Sequence, residues 1–203
     1  MGGTKMNQKG TLYLCPTPIG NLEDITLRAL KILKKVDFIA AEDTRVTVKL
    51  LNHFDIKTPL MSYHEHNKKS SGPKIISILE EGKHIALVSD AGTPGLSDPG
   101  EDLVKQAIQQ GISVVPLPGA VAAITALVAS GLNCEKFVFE GFLPNRNRDK
   151  KARIKKLMEE ERTIILYEAP HRIVRTLKLI KETLGNRKIV IAREITKFHE
   201  EFI

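Results

Sequence analysis

The chain has 203 residues, of which 42% are hydrophobic, so it is long enough for one large or two small domains with buried cores. Its 31 Lys and Arg against 24 Asp and Glu give a net charge of +7, which favours an anionic partner but is also common in soluble proteins. Cys15 and Cys134 lack metal-type spacing, and neither a signal-peptide core nor an apolar run of membrane-spanning length occurs, so the sequence predicts a soluble, cytoplasmic protein with no membrane partner.

Eight apolar runs of strand length follow residues 1–10, which are expected to be leader sequence outside the fold. The predicted strands cover residues 11–15, 38–41, 60–63, 85–88, 112–115, 137–140, 163–167 and 189–192. Residues with helical periodicity fill the intervals between them. Strands that alternate with helices predict an α/β protein with mainly parallel sheets flanked by helices.

Several predicted helices carry start or stop signals of their own. Asp24 or Thr26 can cap the first helix, and Gly185 is the expected C-cap of the last one. Residues 149–161 are expected to form a charged helix. Residues 120–130 form a helix of small apolar residues, which we therefore expect to be buried.

A Pro-Leu-Pro-Gly segment at residues 116–119 interrupts the chain after the fifth predicted strand. Proline and glycine are the residues that most often end regular structure. We therefore expect an N-terminal α/β domain over residues 11–117 and a C-terminal α/β domain over residues 118–203.

The most distinctive stretch, residues 85–100, reads IALVSDAGTPGLSDPG. A buried strand ends at Val88 and gives way to a loop rich in glycine and proline that also carries the carboxylates of Asp90 and Asp98. Glycine permits positive φ and the close approach of another molecule. The stretch is typical of a small-ligand site, or of an ordinary loop in which Ser97 or Asp98 caps the next helix.

The unusual segments of the sequence all follow predicted strands. They are PTPIGN, AEDTR, YHEHN, SDAGTPGLSDPG, PLPGAV, YEAPHR and AREITK. Ligands of open α/β sheets bind outside the carboxyl ends of the strands. Because parallel strands end along one edge of their sheet, these segments are expected to converge on a ligand-binding cleft.

Two charged segments leave more than one interpretation open. Glu42, Asp43 and Arg45 are candidate substrate contacts, or else a helix cap with a surface ion pair. His64 and His66 are metal-ligand types, but alternation along an extended chain would point them apart and no third ligand is evident. No metal is therefore expected.

Neither a Gly-x-x-x-x-Gly-Lys loop nor a Gly-x-Gly-x-x-Gly loop after the first strand occurs, which argues against ordinary nucleotide binding.

A run of basic residues begins in the loop after the sixth predicted strand. Its members are Arg146, Arg148, Lys150, Lys151, Arg153, Lys155 and Lys156, offset only by Asp149. A solvated helix face is the usual explanation for such a run. Because the signs are not mixed and the run starts at a strand end, contact with a phosphate backbone is the competing interpretation.

Taken together, the motifs resemble one family. They are LCPTPIGNLEDITLRAL, AAEDTR, ALVSDAGTPGLSDPG, VVPLPGAVAAITAL, EGFLP, YEAPHR and AREITK, in this order between about residue 12 and residue 197. The set resembles the tetrapyrrole methylase superfamily and is most similar to its 16S ribosomal RNA (cytidine-2'-O)-methyltransferases. The resemblance implies two α/β domains with S-adenosylmethionine in the cleft between them, and a homodimer that acts on 16S ribosomal RNA or the small ribosomal subunit.

The resemblance also implies a role for particular residues. The implied cofactor contacts are Ile19, Asp90, Ala91, Gly92, Thr93, Leu96, Ser97, Gly119, Val121, Ala122, Tyr167, Glu168 and Ala192. The implied RNA contacts are Arg45, Arg146, Arg148, Lys150, Lys151 and Arg153. A ribose hydroxyl is a poor nucleophile, so Asp43, Glu42 or His64 is a candidate general base.

Members of this family are longer than 203 residues, so the C-terminal domain is expected to be truncated. Two other functions stay open at this point. A methyltransferase of a corrin or uroporphyrinogen ring would need a large apolar or arginine-lined cleft and no basic run. A non-catalytic RNA-binding protein would bind RNA in a salt-sensitive way without cofactor affinity.

Overall fold

A computed structural model describes residues 8–203, which form an α/β protein, as the alternating pattern predicts. The strands are β1 (Thr11–Leu14), β2 (Phe38–Ala41), β3 (Leu60–Ser62), β4 (Ile85–Val88), β5 (Ser113–Pro116), β6 (Phe137–Phe142), β7 (Thr163–Tyr167), β8 (Ala192–Arg193) and β9 (Glu201–Phe202). The helices are α1 (Leu27–Lys35), α2 (Thr44–His53), α3 (Lys68–Glu80), α4 (Glu101–Gln109), α5 (Ala122–Ala129), α6 (Asn147–Lys155) and α7 (Ile173–Leu184), with short 3₁₀ turns at Leu22–Asp24 and Pro170–Arg172. The predicted leader lies partly outside the described residues.

The chain divides into two compact units, the first ending at Val121 and the second running from Ala122 to Ile203. The first unit contains a five-stranded parallel sheet in the order β3-β2-β4-β1-β5. β4 is buried along its whole length because it is the central strand of a sheet that is covered on both faces. Parallel strands of this kind require helical crossovers, and α1 to α4 supply them.

The two faces of this sheet have separate cores. Helices α1 and α2 cover one face, around Leu33, Ile39 and Val88. Helices α3 and α4 cover the other face, around Leu79 and Leu87. The connections that leave β1 and β4 therefore run to opposite faces, and the crevice at the carboxyl ends of these two neighbouring strands is the topological switch point of the sheet.

The second unit contains a parallel pair, β6 and β7, and a separate antiparallel pair, β8 and β9. The prediction of an eighth strand at residues 189–192 was wrong in extent and in pairing. The chain turns back through Glu194 and Thr196, which both have positive φ, so Ile191 exchanges backbone hydrogen bonds with Ile203. The backbone groups of this segment are thereby satisfied by a hairpin rather than by the β6–β7 pair.

The structure also decides between the two predicted caps of α1 and corrects the prediction for α5. Thr26, rather than Asp24, caps α1 through a bond from Ala29 N–H to its hydroxyl. The expectation of a buried α5 was wrong, because only Ala123 and Leu127 are buried there, and its opposite face is exposed. Among residues 8–203, no helix has both the length and the apolar character that crossing a membrane requires.

Candidate active site

The loops after β1 and β4 are joined at the switch point of the first unit. Thr17 N–H donates to the Gly92 carbonyl at 2.9 Å, and Gly92 N–H donates to the Thr17 carbonyl at 3.0 Å. The Thr17 hydroxyl, 4% exposed, donates to the Ser89 carbonyl at 3.1 Å. These bonds fix the two loops against each other, so the crevice has rigid walls.

Gly92 lies where this arrangement leaves little space for a side chain. Its φ is +84°, and an added Cβ would lie 3.3 Å from Ile19 Cγ2 and 3.5 Å from the Ala120 carbonyl oxygen. The Thr93 hydroxyl donates to the same Ala120 carbonyl at 3.0 Å. The first unit therefore brings Ile19, Gly92 and Thr93 together, as the convergence of strand ends predicts.

The loop after β5 closes the third side of this site. A Cβ added at Gly119 would lie 2.5 Å from Cβ and 2.7 Å from Cγ of Pro16, so the backbone at 119 packs directly on the proline ring. In the loop after β4, Leu96 N–H donates to the Thr93 carbonyl at 3.4 Å, and Ser97 is exposed with φ +62°. The Ser97 side chain makes no cap bond to α4, whose N-cap residue is Gly100.

Carboxylates cluster at the ends of β2 and β4. Asp90 Oδ1 accepts the N–H of Asp43 at 2.9 Å. Burial raises the pKa of Glu42, and the neighbouring charges of Asp98 and Asp90 raise it further. The pKa of Asp98 is raised as well, chiefly by burial and also by Asp90, although the Ser89 hydroxyl opposes this. The site therefore has a negative potential and favours a cationic ligand.

Asp43 is occupied by structural contacts. Its side chain caps α2 by accepting Arg45 N–H at 2.8 Å, and it pairs with the Arg45 guanidinium at 2.6 Å. These hydrogen bonds lower the pKa of Asp43 to about 2. The helix-cap interpretation describes its geometry, and a carboxylate of such low basicity is a poor proton acceptor.

The prediction that His64 and His66 point apart was wrong, since alternation places residues i and i+2 of an extended chain on the same face. The two ring centroids are 6.0 Å apart in an edge-to-face arrangement, and the chain leaves the strand at Ser62 and forms a turn. Asn67 Oδ1 accepts the backbone N–H of His64 at 2.8 Å and holds this turn. No group of three His, Cys, Asp or Glu side chains within the described chain could hold a metal ion.

A separate cleft of about 280 Å³ lies in the second unit, beside the ends of β7 and β8. Four of the predicted cofactor contacts line it, namely Ala122, Tyr167, Glu168 and Ala192. The rest of the lining is mostly apolar. The Tyr167 hydroxyl accepts the Ala123 N–H at 3.1 Å, which ties β7 to the start of α5. The Tyr167 ring also packs on Phe139 and Phe142, with centroids 5.1 and 5.4 Å away.

Beneath this cleft, Glu168 is the centre of a buried polar network. Its carboxylate accepts the Thr176 hydroxyl at 2.6 Å and the Ala169 N–H at 2.9 Å. It also pairs with Lys150 at 3.2 Å and with Arg172 at 2.8 Å. Burial alone would raise the pKa of Glu168, but the hydrogen bonds from Thr176, Ala169 and Lys150 outweigh it and lower the pKa.

Lys150 consequently does not belong to the exposed basic surface, and its predicted contact with RNA is wrong. It is 3% exposed, and its ammonium donates to the Thr176 hydroxyl at 2.9 Å. Helical periodicity separates it from its neighbours, since it points inward while Arg148 and Lys151 point outward. Arg146, Arg148, Lys151, Lys155 and Lys156 remain exposed, and Arg153 pairs with Glu140 at 2.6 Å.

Two residues of the site were not identified from the sequence. Thr17 joins the first two loops, and Thr176 completes the Glu168 network. A threonine between two prolines just after a strand is a signal that points to Thr17. Thr176 lies on an ordinary amphipathic helix, and only its tertiary contacts distinguish it.

The sequence model of the tetrapyrrole (corrin/porphyrin) methylases matches residues 11–203. A relative from Halalkalibacterium halodurans is 56% identical over 97% of this chain and 68% of its own length, and one from Bacillus subtilis is 58% identical over 96% and 66%. Both relatives are named "Ribosomal RNA small subunit methyltransferase I". The chain thus spans about two thirds of the length of these curated relatives.

Solved structures of the same fold extend the comparison at much lower identity. The uroporphyrin-III-C-methyltransferase of Thermus thermophilus is similar with a TM-score of 0.65 at 20% identity, over 96% of this chain and 84% of that one. Diphthine synthase is similar with a TM-score of 0.74 at 14% identity, over 95% and 80%. These likenesses confirm the fold. The match of the family model over residues 11–203 shows that the chain belongs to the tetrapyrrole (corrin/porphyrin) methylase family.

Proposed function

We propose that this chain is part of an S-adenosylmethionine-dependent enzyme that methylates the ribose 2'-hydroxyl of a cytidine in 16S ribosomal RNA. The observation that carries the substrate class is the identity of 56% and 58% with relatives named for the RNA of the small ribosomal subunit. We further propose that it acts in the cytoplasm, as a homodimer, on the small subunit or its RNA. Size-exclusion chromatography with light scattering tests the dimer directly.

The residues of the first unit fit the proposed cofactor. S-adenosylmethionine supplies an electrophilic methyl group on a positively charged sulfonium. The carboxylates of Asp90 and Asp98 provide the negative potential that such a cation needs. Gly92 provides a surface without a side chain, next to Ile19 and the Ala120 carbonyl. In the second unit, the cleft beside Tyr167 has the apolar and aromatic lining that suits an adenosine group.

Of the three candidate bases we favour Glu42, which lies beside Asp90 and Asp98 in the carboxylate cluster. Its pKa is raised, so its carboxylate accepts a proton more readily than that of an ordinary glutamate. Asp43 is held as a helix cap with a pKa of about 2. Glu42 would take the proton of the ribose hydroxyl at its carboxylate oxygen while the loops position the nucleophile.

Titration calorimetry with S-adenosylhomocysteine tests the cofactor site. One ligand per chain is expected to bind, and Gly92→Leu is expected to weaken binding at least about tenfold, since its side chain would project over Ile19. Gly95→Leu is the matched control, because its φ of +83° imposes the same backbone strain but an added Cβ approaches only Glu101 N, at 3.9 Å. Equal losses in the two variants, or no binding to the unchanged protein, would contradict the assignment.

The pH dependence of single-turnover methyl transfer tests the base. Its acid limb is expected to lie above the ordinary glutamate pKa of 4.5, because the active carboxylate form is lost as pH falls through the raised pKa. Glu42→Gln should abolish this limb and lower the rate about 100-fold. Asp43→Asn, which keeps a capping side chain, and His64→Gln should both retain it. An unchanged profile in Glu42→Gln would exclude Glu42 as the base.

A further inference from the structure

The first unit also has a cavity that shares Thr17 and Asp90 with the loops described above, but whose other lining residues have no role assigned so far. It encloses about 240 Å³ between the loop after β1, the 3₁₀ turn, the first turns of α2 and the end of β4. Its lining residues are Thr17, Pro18, Leu22, Val46, Thr47, Lys49, Leu50, Ser89 and Asp90. The cavity therefore adjoins the carboxylate cluster through Asp90.

The walls of this cavity are mostly apolar. Pro18 and Leu50 contribute hydrocarbon surface within it, while Leu22 and Val46 line it and are 40% and 41% exposed to solvent. Exposed apolar side chains at the edge of a small cavity suit a flat, partly apolar ligand such as an unstacked nucleobase.

The polar groups of the cavity differ in whether they already have hydrogen-bond partners. The hydroxyls of Thr17 and Ser89 are used within the loops, on the carbonyls of Ser89 and Gly92. Asp90 uses Oδ1 to accept the Asp43 N–H, which leaves Oδ2 as an acceptor among the described contacts. The exposed Lys49 supplies a positive charge. The cavity thus offers an acceptor for an amino group and a cation for a phosphate.

We propose that this cavity holds the base of the target nucleotide, an inference that rests on the proposed function and specifies its substrate subsite. A pyrimidine fits the apolar walls, with its phosphate near Lys49. Cytosine presents an N4 amino donor that a carboxylate accepts, whereas uracil presents an O4 acceptor at the same position. Asp90 therefore selects cytosine over uracil, and the ribose lies toward Glu42 on the neighbouring strand end.

Two tryptophan variants on one helix distinguish the effect of filling this cavity from the effect of a bulky side chain elsewhere on the surface. Val46 and Val48 both lie on α2 and both are 41% exposed, but only Val46 lines the cavity. Val46→Trp is expected to lower kcat/KM for methyl transfer to small ribosomal subunits at least about tenfold, because the indole fills the space of the base. Val48→Trp should leave kcat/KM unchanged, and both variants should bind S-adenosylhomocysteine within about twofold of the unchanged protein.

Titration of the unchanged protein with cytidine 5'-monophosphate, followed by NMR, gives a readout that needs no cofactor. Amide shifts are expected around Leu22, Val46 and Leu50, weaker with uridine 5'-monophosphate and lost in Val46→Trp but not in Val48→Trp. No cytidine binding, shifts elsewhere, or equal behaviour of the two variants would overturn the subsite. Failure to bind S-adenosylhomocysteine would instead overturn the proposed function, so the two failures are distinguishable.

Discussion

Lys150→Met is expected to lower the free energy of unfolding by about 3 kcal/mol, because it leaves the buried carboxylate of Glu168 with one cation fewer. Arg172 and Thr176 still contact that carboxylate, which places the loss at the lower end of the range for a broken buried pair. Lys151→Met is the matched control, since the next side chain along α6 is exposed, and it should change stability by less than about 0.5 kcal/mol. Urea denaturation followed by circular dichroism measures both variants.

The pH dependence of the stability difference between the unchanged protein and Lys150→Met identifies the interaction that causes it. Glu168 has a lowered pKa in the folded protein, so its ionised contacts contribute stability above the ordinary glutamate range and lose it as pH falls through the lowered pKa. The stability gap between the unchanged protein and Lys150→Met should therefore narrow in acid. A gap that stays constant with pH would mean that Lys150 acts through packing of its hydrocarbon stem instead.

Gly119→Ala is expected to destabilise the first unit by about 1–3 kcal/mol and to abolish detectable binding of S-adenosylhomocysteine. The new Cβ would lie 2.5 Å from Pro16, whose ring cannot rotate away, so the loops after β1 and β5 must separate. Calorimetric titration and urea denaturation give the two readouts.

Gly72→Ala is the control for the general effect of replacing glycine by alanine. It lies within α3, where the added methyl meets only the amide end of the flexible Gln106 side chain, at 3.3 Å. Alanine is favoured over glycine in a helix by up to about 1 kcal/mol, so this variant should be neutral or stabilising and should bind ligand normally. Normal binding by Gly119→Ala as well would show that the close approach to Pro16 does not shape the site.

Local pattern was sufficient to predict most of the first unit. Its strands are short apolar runs bounded by turn residues, and β2 and β4 begin and end at the predicted positions. The rule that parallel strands end along one edge of their sheet also predicts that the loops containing Ile19 and Gly92 meet, as they do. These successes share a cause, since each depends on residues close in sequence or on a rule of sheet topology.

The errors arose where distant contacts decide the outcome. Lys150 was predicted to contact RNA as a member of the basic run, and only its partner 18 residues away, Glu168, shows why this lysine is buried. Residues 189–192 had strand composition, but their hydrogen-bond partners are at residues 201–203 rather than in the parallel pair. The error over the two histidines was of another kind, because residues i and i+2 already share a face on a strand.

The strand order of the sheet in the first unit has a consequence for how this unit folds while the chain is being synthesised. β1 is made first, but among the strands of residues 8–203 it pairs with β4 and β5 alone, so its backbone finds no partner among them until residue 85 has been synthesised. At about 5–20 residues per second, the nascent strand waits for several seconds while β2 and β3 emerge. We therefore expect the first unit to fold late and in one step, once residue 116 has cleared the exit tunnel.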